Sequence, residues 1–199
     1  MDNHKFTKFI IGLGNPGFRY KKTMHNAGFL AVDYIQKNIG GFSKWKNNKK
    51  LLAEISENPE QNMILAKPQT YMNKSGETAK LLLTDYRLPT TVLFVIHDDF
   101  DIPIGEFKLE KNRGAGGHHG VQSIIDALGT NKFWRLRIGI KPKNMQSLIK
   151  ADLSAGIRQL AEKAEDFVLK KFTREERKII EKIIPEAARQ LLEMISDLR

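Results

Sequence analysis

Residues 92–96, VLFVI, run without a break into His97, Asp98 and Asp99, and this stretch decides the fold. A strand that is apolar at every position has both faces covered, so it belongs in the middle of a parallel or mixed sheet. A carboxylate that leaves the end of such a strand needs a partner, because an unpaired buried charge is costly. The stretch therefore predicts a central strand that leads into a polar site.

Strand and helix patterns alternate on both sides of this central strand. The upstream elements are strands at 9–13, 51–56 and 63–66, a helix at 26–39 stopped by Gly40-Gly41, and a helix at 75–86 capped by Asn73 or Ser75. The downstream elements are a strand at 107–110, a short helix through 124–128, and residues 135–140, whose alternating charges indicate an edge or half-exposed strand. This order predicts an α/β fold, a twisted mixed β-sheet surrounded by α-helices.

The whole chain, residues 1–199, is expected to form a single domain, since 199 residues fit one domain better than two. The part from about residue 145 onward is predicted to be helical. Thr173 and Glu176 have the spacing of a capping box, which predicts that a helix begins there. Pro185 is expected to kink that helix or to start a new one.

The composition limits the classes of function. Lys plus Arg number 33 against 23 Asp plus Glu, giving a net charge of +10, which favours a polyanionic partner over a charge that serves solubility alone. Cysteine is absent, so disulfides and thiolate metal sites are excluded and a reducing compartment is expected. Residues 1–9 do not resemble a signal peptide, and no stretch is apolar enough to span a bilayer. We therefore expect a soluble cytoplasmic protein that does not act at a membrane.

Residues 12–17, GLGNPG, match the glycine pattern of dinucleotide-binding turns, and Asp33 lies near the distance of a ribose-binding acid. Pro16 weakens that interpretation, because it removes an N–H that a pyrophosphate needs. A polar stretch at 18–25 also stands where the helix of such a fold has already begun. Two alternatives stay open: a tight turn whose glycines adopt positive φ, or a turn that presents the Asn15 amide to a substrate.

His25 precedes the first helix, and Asp98 is the best candidate to orient its ring. Asp99 and Asp101 are alternatives, as turn residues or as the partner, and the acids are too few for a metal loop. Asn73 and Met72 fit either a helix cap with a core residue or a substrate contact. Because neither a serine nucleophile motif nor a cysteine is present, the pattern favours direct attack of water on an acyl group.

Residues 114–120, GAGGHHG, form a glycine-rich loop that is suited to cradling phosphate or to acting as a flexible lid. Zinc binding by His118 and His119 is disfavoured, because further ligands are missing. Basic residues flank this loop and predict a phosphate-binding rim, with a merely solvated edge as the alternative. They include Lys108, Arg113 and Arg135, and a further basic group lies at 44–50.

Five motifs occur in an order and spacing that resemble the bacterial-type peptidyl-tRNA hydrolases over about residues 6–140. They are IIGLGNPG at 10–17, TMHNAGF at 23–29, KPQTYMNKSG at 67–76, HDDFDIPIG at 97–105 and GAGGHHG at 114–120. The segment 167–172 is also similar to the family, whereas 143–165 is longer and more divergent than usual. Five ordered motifs are far more specific than one glycine pattern.

The resemblance implies a monomeric enzyme that hydrolyses peptidyl-tRNA without a metal or organic cofactor and without an obligate protein partner. It implies that His25 is the general base, that Asp98 is its partner, and that Asn15 and Asn73 hold the substrate and the water or oxyanion. His119 stands where the family has Asn, which puts the contact to the peptide in doubt. The remaining substrate-binding candidates are Tyr20, Asn26, Met72 and His118, together with Lys108, Arg113 and Arg135 of the basic rim.

Two other classes of function are alternatives to hydrolysis. Some organellar relatives of this fold are RNA-splicing factors, so a non-catalytic RNA-binding protein is one alternative. RNA binding alone does not need His25, Asp98, Asn15 and Asn73 together, which argues against it. A dinucleotide-dependent oxidoreductase is the other alternative, and failure to bind a nicotinamide cofactor would exclude it.

Overall fold

The structure is a computed structural model that describes residues 8–142 and 166–198, and its framework is a seven-stranded sheet. The strands are β1 (Lys8–Gly12), β2 (Lys46–Asn48), β3 (Ala53–Asn58), β4 (Met63–Pro68), β5 (Leu93–Pro103), β6 (Phe107–Lys111) and β7 (Trp134–Lys141). They lie in the order β2-β3-β4-β1-β5-β7-β6. The central strands β4, β1, β5 and β7 are parallel, and β2, β3 and β6 add antiparallel pairs at the two sides. The predicted mixed sheet is confirmed.

Among the described residues, four helices cover the two faces of the sheet: α1 (Ala27–Asn38), α2 (Ser75–Asp85), α3 (His119–Leu128) and α4 (Arg174–Asp197). The first face carries Phe94 and Ile96 of β5 and packs against α1 and α4. The second face carries Leu93 and Val95 and packs against α2 and α3. Successive residues of a strand point to opposite faces, so β5 is buried on both sides as its apolar run predicts.

Helix α1 lies very close to the sheet because Gly28 has no side chain. A Cβ atom at Gly28 would stand 2.3 Å from the carbonyl oxygen of Ile96 and 2.4 Å from the amide nitrogen of Leu13. No side chain fits at those distances, so substitution would push α1 away from β1 and β5. This contact matters for the site, because His25 lies in the turn that leads into α1.

Several expectations about individual elements are wrong. Strand β7 lies between β5 and β6 and is buried along most of its length, so residues 135–140 are not an edge strand. Strand β5 does not end near Ile96 but continues to Pro103, so the polar residues that follow Ile96 are part of the strand. The residue before α2 is Lys74, and no side chain caps that helix, because the Ser75 hydroxyl donates to the carbonyl of Met72 instead.

The capping box at the start of α4 is confirmed by reciprocal hydrogen bonds between Thr173 and Glu176. Helix α4 continues through Pro185, so no new helix starts there; buried residues on both sides of the proline, among them Ile184 and Ala188, hold it against the core. Of the C-terminal part that was expected to be helical, residues 143–165 lie outside the described residues. In the described ranges, no helix has both the length and the apolar character that crossing a membrane requires.

Candidate active site

The predicted site residues come from turns that meet at one edge of the sheet. Asn15 follows β1, Met72 and Asn73 begin a 3-10 turn after β4, and Asp98 lies in the last half of β5. A second 3-10 turn, Met24–Asn26, brings His25 to the same place. Because β1, β4 and β5 are parallel, their carboxyl ends share this edge, where ligands of α/β sheets bind.

His25 and Asp98 form the predicted pair. The Nδ1 atom of His25 lies 3.0 Å from Oδ1 and 3.1 Å from Oδ2 of Asp98. Both side chains are buried, with His25 7% and Asp98 2% exposed. A neutral imidazole that donates from Nδ1 to a carboxylate has its lone pair on Nε2. Since Nε2 makes no hydrogen bond to the described residues, it is available to take a proton.

A second histidine binds the same carboxylate, and the sequence reasoning missed it. The Nε2 atom of His118 lies 3.0 Å from Asp98 Oδ1. Its Nδ1 atom accepts the backbone N–H groups of Gly120 and Val121, at 3.1 and 3.3 Å, and so caps α3. A nitrogen that accepts has no proton, so the hydrogen of a neutral His118 is on Nε2 and is donated to Asp98. His118 therefore positions Asp98, a role that the sequence did not indicate, while its predicted contact to the substrate stays a prediction.

These contacts change the acidity of the pair in opposite directions. Burial alone would lower the pKa of His25, but the charge of Asp98 and the hydrogen bond to it outweigh burial and raise that pKa above 6.5. Burial would raise the pKa of Asp98, but His25 and His118 hold it far below its usual range. Asp98 is thus a permanent carboxylate, and His25 is the group of this pair that exchanges a proton near neutral pH.

His97 lies under the pair and is held neutral. Its Nδ1–H donates to the backbone carbonyl of Asp98 at 2.6 Å, and its ring meets that of His118 edge-on at 4.8 Å. Burial, followed by the neighbouring His118, lowers the pKa of His97 to about 3. No signal in the sequence distinguishes this structural histidine from the two that bind the carboxylate of Asp98.

Asn15 is held by its own backbone and presents its side chain to the site. The Asn26 side chain accepts from the Asn15 N–H at 2.9 Å and donates to the Asn15 carbonyl at 3.0 Å. The Asn15 Oδ1 accepts from the Met72 N–H at 2.8 Å, which leaves its amide nitrogen without a partner among the described residues. Asn26 is 2% exposed and its side chain supports the Asn15 backbone, while its predicted role in substrate binding stays a prediction.

The other predicted contacts lie at different depths. Asn73 and His119 are exposed, Tyr20 is half-buried, and Met72 is buried with its sulfur directly beside Gly120. Gly120 has room for no side chain, because a Cβ atom there would lie 2.4 Å from the Met72 sulfur. Met72 thus forms a packed wall between the turn after β4 and the glycine-rich loop.

The predicted phosphate-binding rim is only partly accessible. Lys108 and Arg113 are exposed, and Arg113 pairs with Glu110 at 3.1 Å. Arg135 is 1% exposed and donates to the carbonyl of Gly114 at 2.8 Å, so little of its surface is open to a tRNA contact, which stays a prediction. Through this hydrogen bond Arg135 supports the glycine-rich loop, which covers the charged face of the inner strand β7.

Asp33 has a structural partner of its own. Its carboxylate accepts from Lys67 Nζ at 2.8 Å, and Lys67 also lies 3.0 Å from Glu54 and over the ring of Trp45. Helix α1 begins only at Ala27, well after the glycine turn. An acid engaged in this way and a late helix are unlike a dinucleotide site, so the turn serves to place Asn15.

The site defines a class: an α/β protein in which a carboxylate orients an imidazole that can activate water, at the sheet edge that also carries Asn15 and Asn73. A sequence model of the family described as Peptidyl-tRNA hydrolase matches residues 9–199. The chain belongs to the peptidyl-tRNA hydrolase family.

Individual relatives agree over nearly the whole length. A peptidyl-tRNA hydrolase of Sulfurihydrogenibium is 37% identical over 188 residues, which cover 94% of this chain and 90% of that protein. The one of Thermodesulfovibrio yellowstonii is 40% identical over 191 residues, covering 94% and 92%. The crystal structure of peptidyl-tRNA hydrolase from Acinetobacter baumannii has a TM-score of 0.81 to this chain at 29% identity, covering 96% of this chain and 89% of that one.

Proposed function

We propose that this protein hydrolyses the ester bond between the peptide and the terminal ribose of tRNA in peptidyl-tRNA, with His25 as the base. The observation that carries the proposal is the buried His25–Asp98 pair at 3.0 Å, which leaves Nε2 of His25 facing the site. An imidazole oriented by a carboxylate is a good general base near neutral pH.

In this mechanism His25 Nε2 takes a proton from water while the water oxygen attacks the ester carbonyl. The resulting tetrahedral oxyanion needs hydrogen-bond donors, and the side-chain amides of Asn15 and Asn73 are the candidates. The intermediate then collapses, the bond to the ribose oxygen breaks, and the His25 imidazolium returns the proton to that oxygen. The products are a free peptide, whose new carboxylic acid releases its proton to solvent, and a tRNA with its terminal hydroxyl restored.

Release of free tRNA from purified peptidyl-tRNA tests the proposal. His25→Ala removes the base, and we expect kcat to fall by about 10²- to 10⁴-fold. His25→Asn is the sharper variant, because its amide can still donate to Asp98 while no basic nitrogen remains. Both variants should still fold and bind tRNA. If the parent protein binds tRNA but does not hydrolyse peptidyl-tRNA, a non-catalytic RNA-binding role is favoured instead.

We also propose that the site works without a metal ion. The ligand atoms of His25, Asp98 and His118 lie within 4.8 Å of one another, which is close enough to hold a metal. The same atoms are engaged in hydrogen bonds to one another, and Nδ1 of His118 caps α3. Treatment with EDTA should leave the rate unchanged, and a loss that zinc restores would overturn this part of the proposal.

The proposal includes a monomer that acts in the cytoplasm, where translation produces peptidyl-tRNA, with tRNA as its macromolecular partner. Light scattering after size exclusion tests the monomer. A concentration-dependent dimer whose formation raises the specific activity would contradict it.

A further inference from the structure

Two segments that are distant in sequence form one surface beside the active site. Thr23 and Lys171 make an isolated antiparallel bridge, in which the Met24 N–H donates to the Lys170 carbonyl at 3.0 Å. The Phe172 N–H donates to the carbonyl of Lys22 at 3.2 Å. The loop before His25 and the segment before α4 are therefore joined through their backbones, and their side chains share one surface.

This surface is strongly positive. We name it the loop–tail surface, and its cations are Arg19, Lys21, Lys22, Lys170 and Lys171, all of them exposed. Within residues 8–142 and 166–198, none of the five lies within ion-pair distance of a carboxylate. Other exposed cations differ, since Lys50 pairs with Asp85 and Arg177 with Glu181. Unbalanced cations on both segments create a positive potential that attracts a polyanion.

An aromatic side chain stands in the same loop. Phe18 is 91% exposed, more than any other large apolar residue in the described ranges. The loop that carries it is held at both ends, because Asn26 binds the Asn15 backbone and the Thr23 hydroxyl donates to the Tyr20 carbonyl at 2.8 Å. A fixed aromatic ring beside cations is the arrangement by which proteins bind single-stranded nucleic acid, with bases stacked on rings and phosphates on cations.

We infer that the loop–tail surface binds the single-stranded 3′ end of the tRNA, with a base stacked on Phe18 and phosphates against the cations. This inference rests on the proposed function, which places the ester at His25. The bridge at Thr23 lies two residues before His25, so the surface adjoins the point where the terminal nucleotide must sit. An exposed ring selects a single strand, because the base faces of a duplex are hidden in its stack.

Stacking is tested by fluorescence anisotropy with a labelled RNA hairpin that ends in a single-stranded CCA. We expect Phe18→Ala to weaken binding by about 5-fold or more, the lower end of base–aromatic stacking. Phe18→Tyr retains an aromatic face and should bind like the parent. Leu198→Ala is the matched control, because Leu198 is also apolar and exposed, at 41%, but lies at the end of α4.

The phosphate contacts are tested by the salt dependence of the same binding. Each lost contact to a single strand lowers the slope of log K against log salt by about 0.7, so Lys22→Gln with Lys171→Gln should lower it by about 1.4. The control pair is Lys178→Gln with Lys182→Gln, two exposed lysines of α4 that make no ion pair in the described ranges.

The outcomes separate this inference from the proposed function. If all the loop–tail variants bind RNA with the affinity and the salt dependence of the parent, the inference is overturned, even when hydrolysis is intact. Weakened binding in these variants, from a parent protein that does not hydrolyse peptidyl-tRNA, would support the surface and reject the proposed function. An equal loss in Phe18→Ala on a blunt hairpin without the CCA end would rule out stacking on a single-stranded base.

Discussion

Asp98 and Asp99 are neighbours on β5, but they face opposite sides of the sheet. Histidines bind Asp98, and an arginine binds Asp99. Asp98 accepts from His25 and His118, both through imidazole nitrogens. Asp99 accepts from Arg137 at 2.7 Å, and Arg137 also binds Glu110 at 2.8 Å. Both acids are paired and at least partly buried, so burial and charge alone do not tell which one takes part in the chemistry.

The partner makes the difference. A guanidinium keeps its proton at any physiological pH, so the pair of Asp99 and Arg137 can stabilise the fold but cannot move a proton. An imidazole titrates near neutrality, and Asp98 orients His25 and raises its pKa. We therefore propose that Asp98, on the α1 face of β5, serves the chemistry, and that Asp99, which meets Arg137 on the opposite face, serves the stability of the fold.

The largest expected effect separates the two acids by substitution. Asp98→Asn should lower kcat by about 10²- to 10⁴-fold, because an amide can donate to Nδ1 and so favours the wrong tautomer of His25. Asp99→Asn should leave kcat within a few-fold of the parent. It should instead lower the free energy of unfolding by about 1–3 kcal/mol, since it removes the charge opposite buried Arg137.

Steady-state kinetics and urea unfolding of the two variants provide the test. If Asp99→Asn loses activity as severely as Asp98→Asn while keeping its stability, the division between the two faces is wrong. Asp98→Asn should lose less stability than Asp99→Asn. The histidines that bind Asp98 can change tautomer to pair with an amide, whereas the guanidinium of Arg137 can only donate.

The pH dependence of kcat/KM sharpens the same comparison. A raised pKa of His25 means that the base is protonated and inactive at low pH, so activity should rise with pH and have its midpoint above 6.5. In Asp98→Asn the carboxylate that raises the pKa of His25 is gone, and burial, which lowers that pKa, remains. The midpoint of the residual activity should therefore move to lower pH. Asp99→Asn should keep the parent midpoint, and an equal shift in both variants would mean that Asp99 also acts on His25.

Much of this arrangement could be predicted from the sequence. The apolar run at 92–96 predicted the central strand, and five ordered motifs pointed to the family and brought His25 and Asp98 together. Such predictions succeed where local pattern and motif agree, because a strand that is apolar at every position must be covered on both faces and so lies inside the sheet.

Other features depend on contacts between distant segments, which one sequence does not reveal. The charges at Arg135 and Arg137 predicted exposure, but the glycine-rich loop and the acids Asp99 and Glu110 cover them. The hydrogen bond from His118 to Asp98 spans 20 residues and depends on where α3 begins. The bridge between Thr23 and Lys171 joins the two ends of the chain, and no periodicity predicts it.

His97 offers a smaller effect that concerns stability alone. Its folded pKa of about 3 lies below the ordinary 6.5, so between these values the unfolded chain binds a proton that the folded protein does not. The free energy of unfolding should therefore fall as pH falls through this window, by at most about 1.4 kcal/mol per pH unit. His25 has a raised pKa, so its contribution is already complete below 6.5 and does not change the slope.

Urea unfolding between pH 6.5 and 4 measures this slope. His97→Asn keeps a donor near the position of Nδ1 but cannot titrate, so its stability curve should be flatter than that of the parent, whatever its absolute stability. Asp98 and Asp99, whose pKa values are lowered, stabilise the fold above the ordinary carboxyl pKa of 3.8, and this contribution is lost as pH falls from about 5 downward, in the parent and in the variant alike. Equal slopes in the parent and the variant would mean that His97 is protonated in the folded protein.

His119 is expected to give the smallest effect, and it tests whether a histidine next to the site belongs to the chemistry. It adjoins His118 in sequence but is exposed at the start of α3, whereas His118 is bound to Asp98. Neutral imidazole and an Asn amide each offer one donor and one acceptor. His119→Asn should therefore preserve kcat and change KM, the mark of altered substrate binding.

His119→Ala should raise KM by about 5-fold, which corresponds to roughly 1 kcal/mol for one neutral hydrogen bond. Steady-state kinetics of both variants and the parent from about pH 5.5 to 8.5, a window around the ordinary pKa of histidine, separate changes in KM from changes in kcat. The acid limb of kcat should be the same in all three proteins, because it belongs to His25. If kcat of His119→Asn falls as far as that of His25→Ala, a residue of the glycine-rich loop takes part in catalysis. A histidine that transfers a proton would then not need Asp98 as its partner.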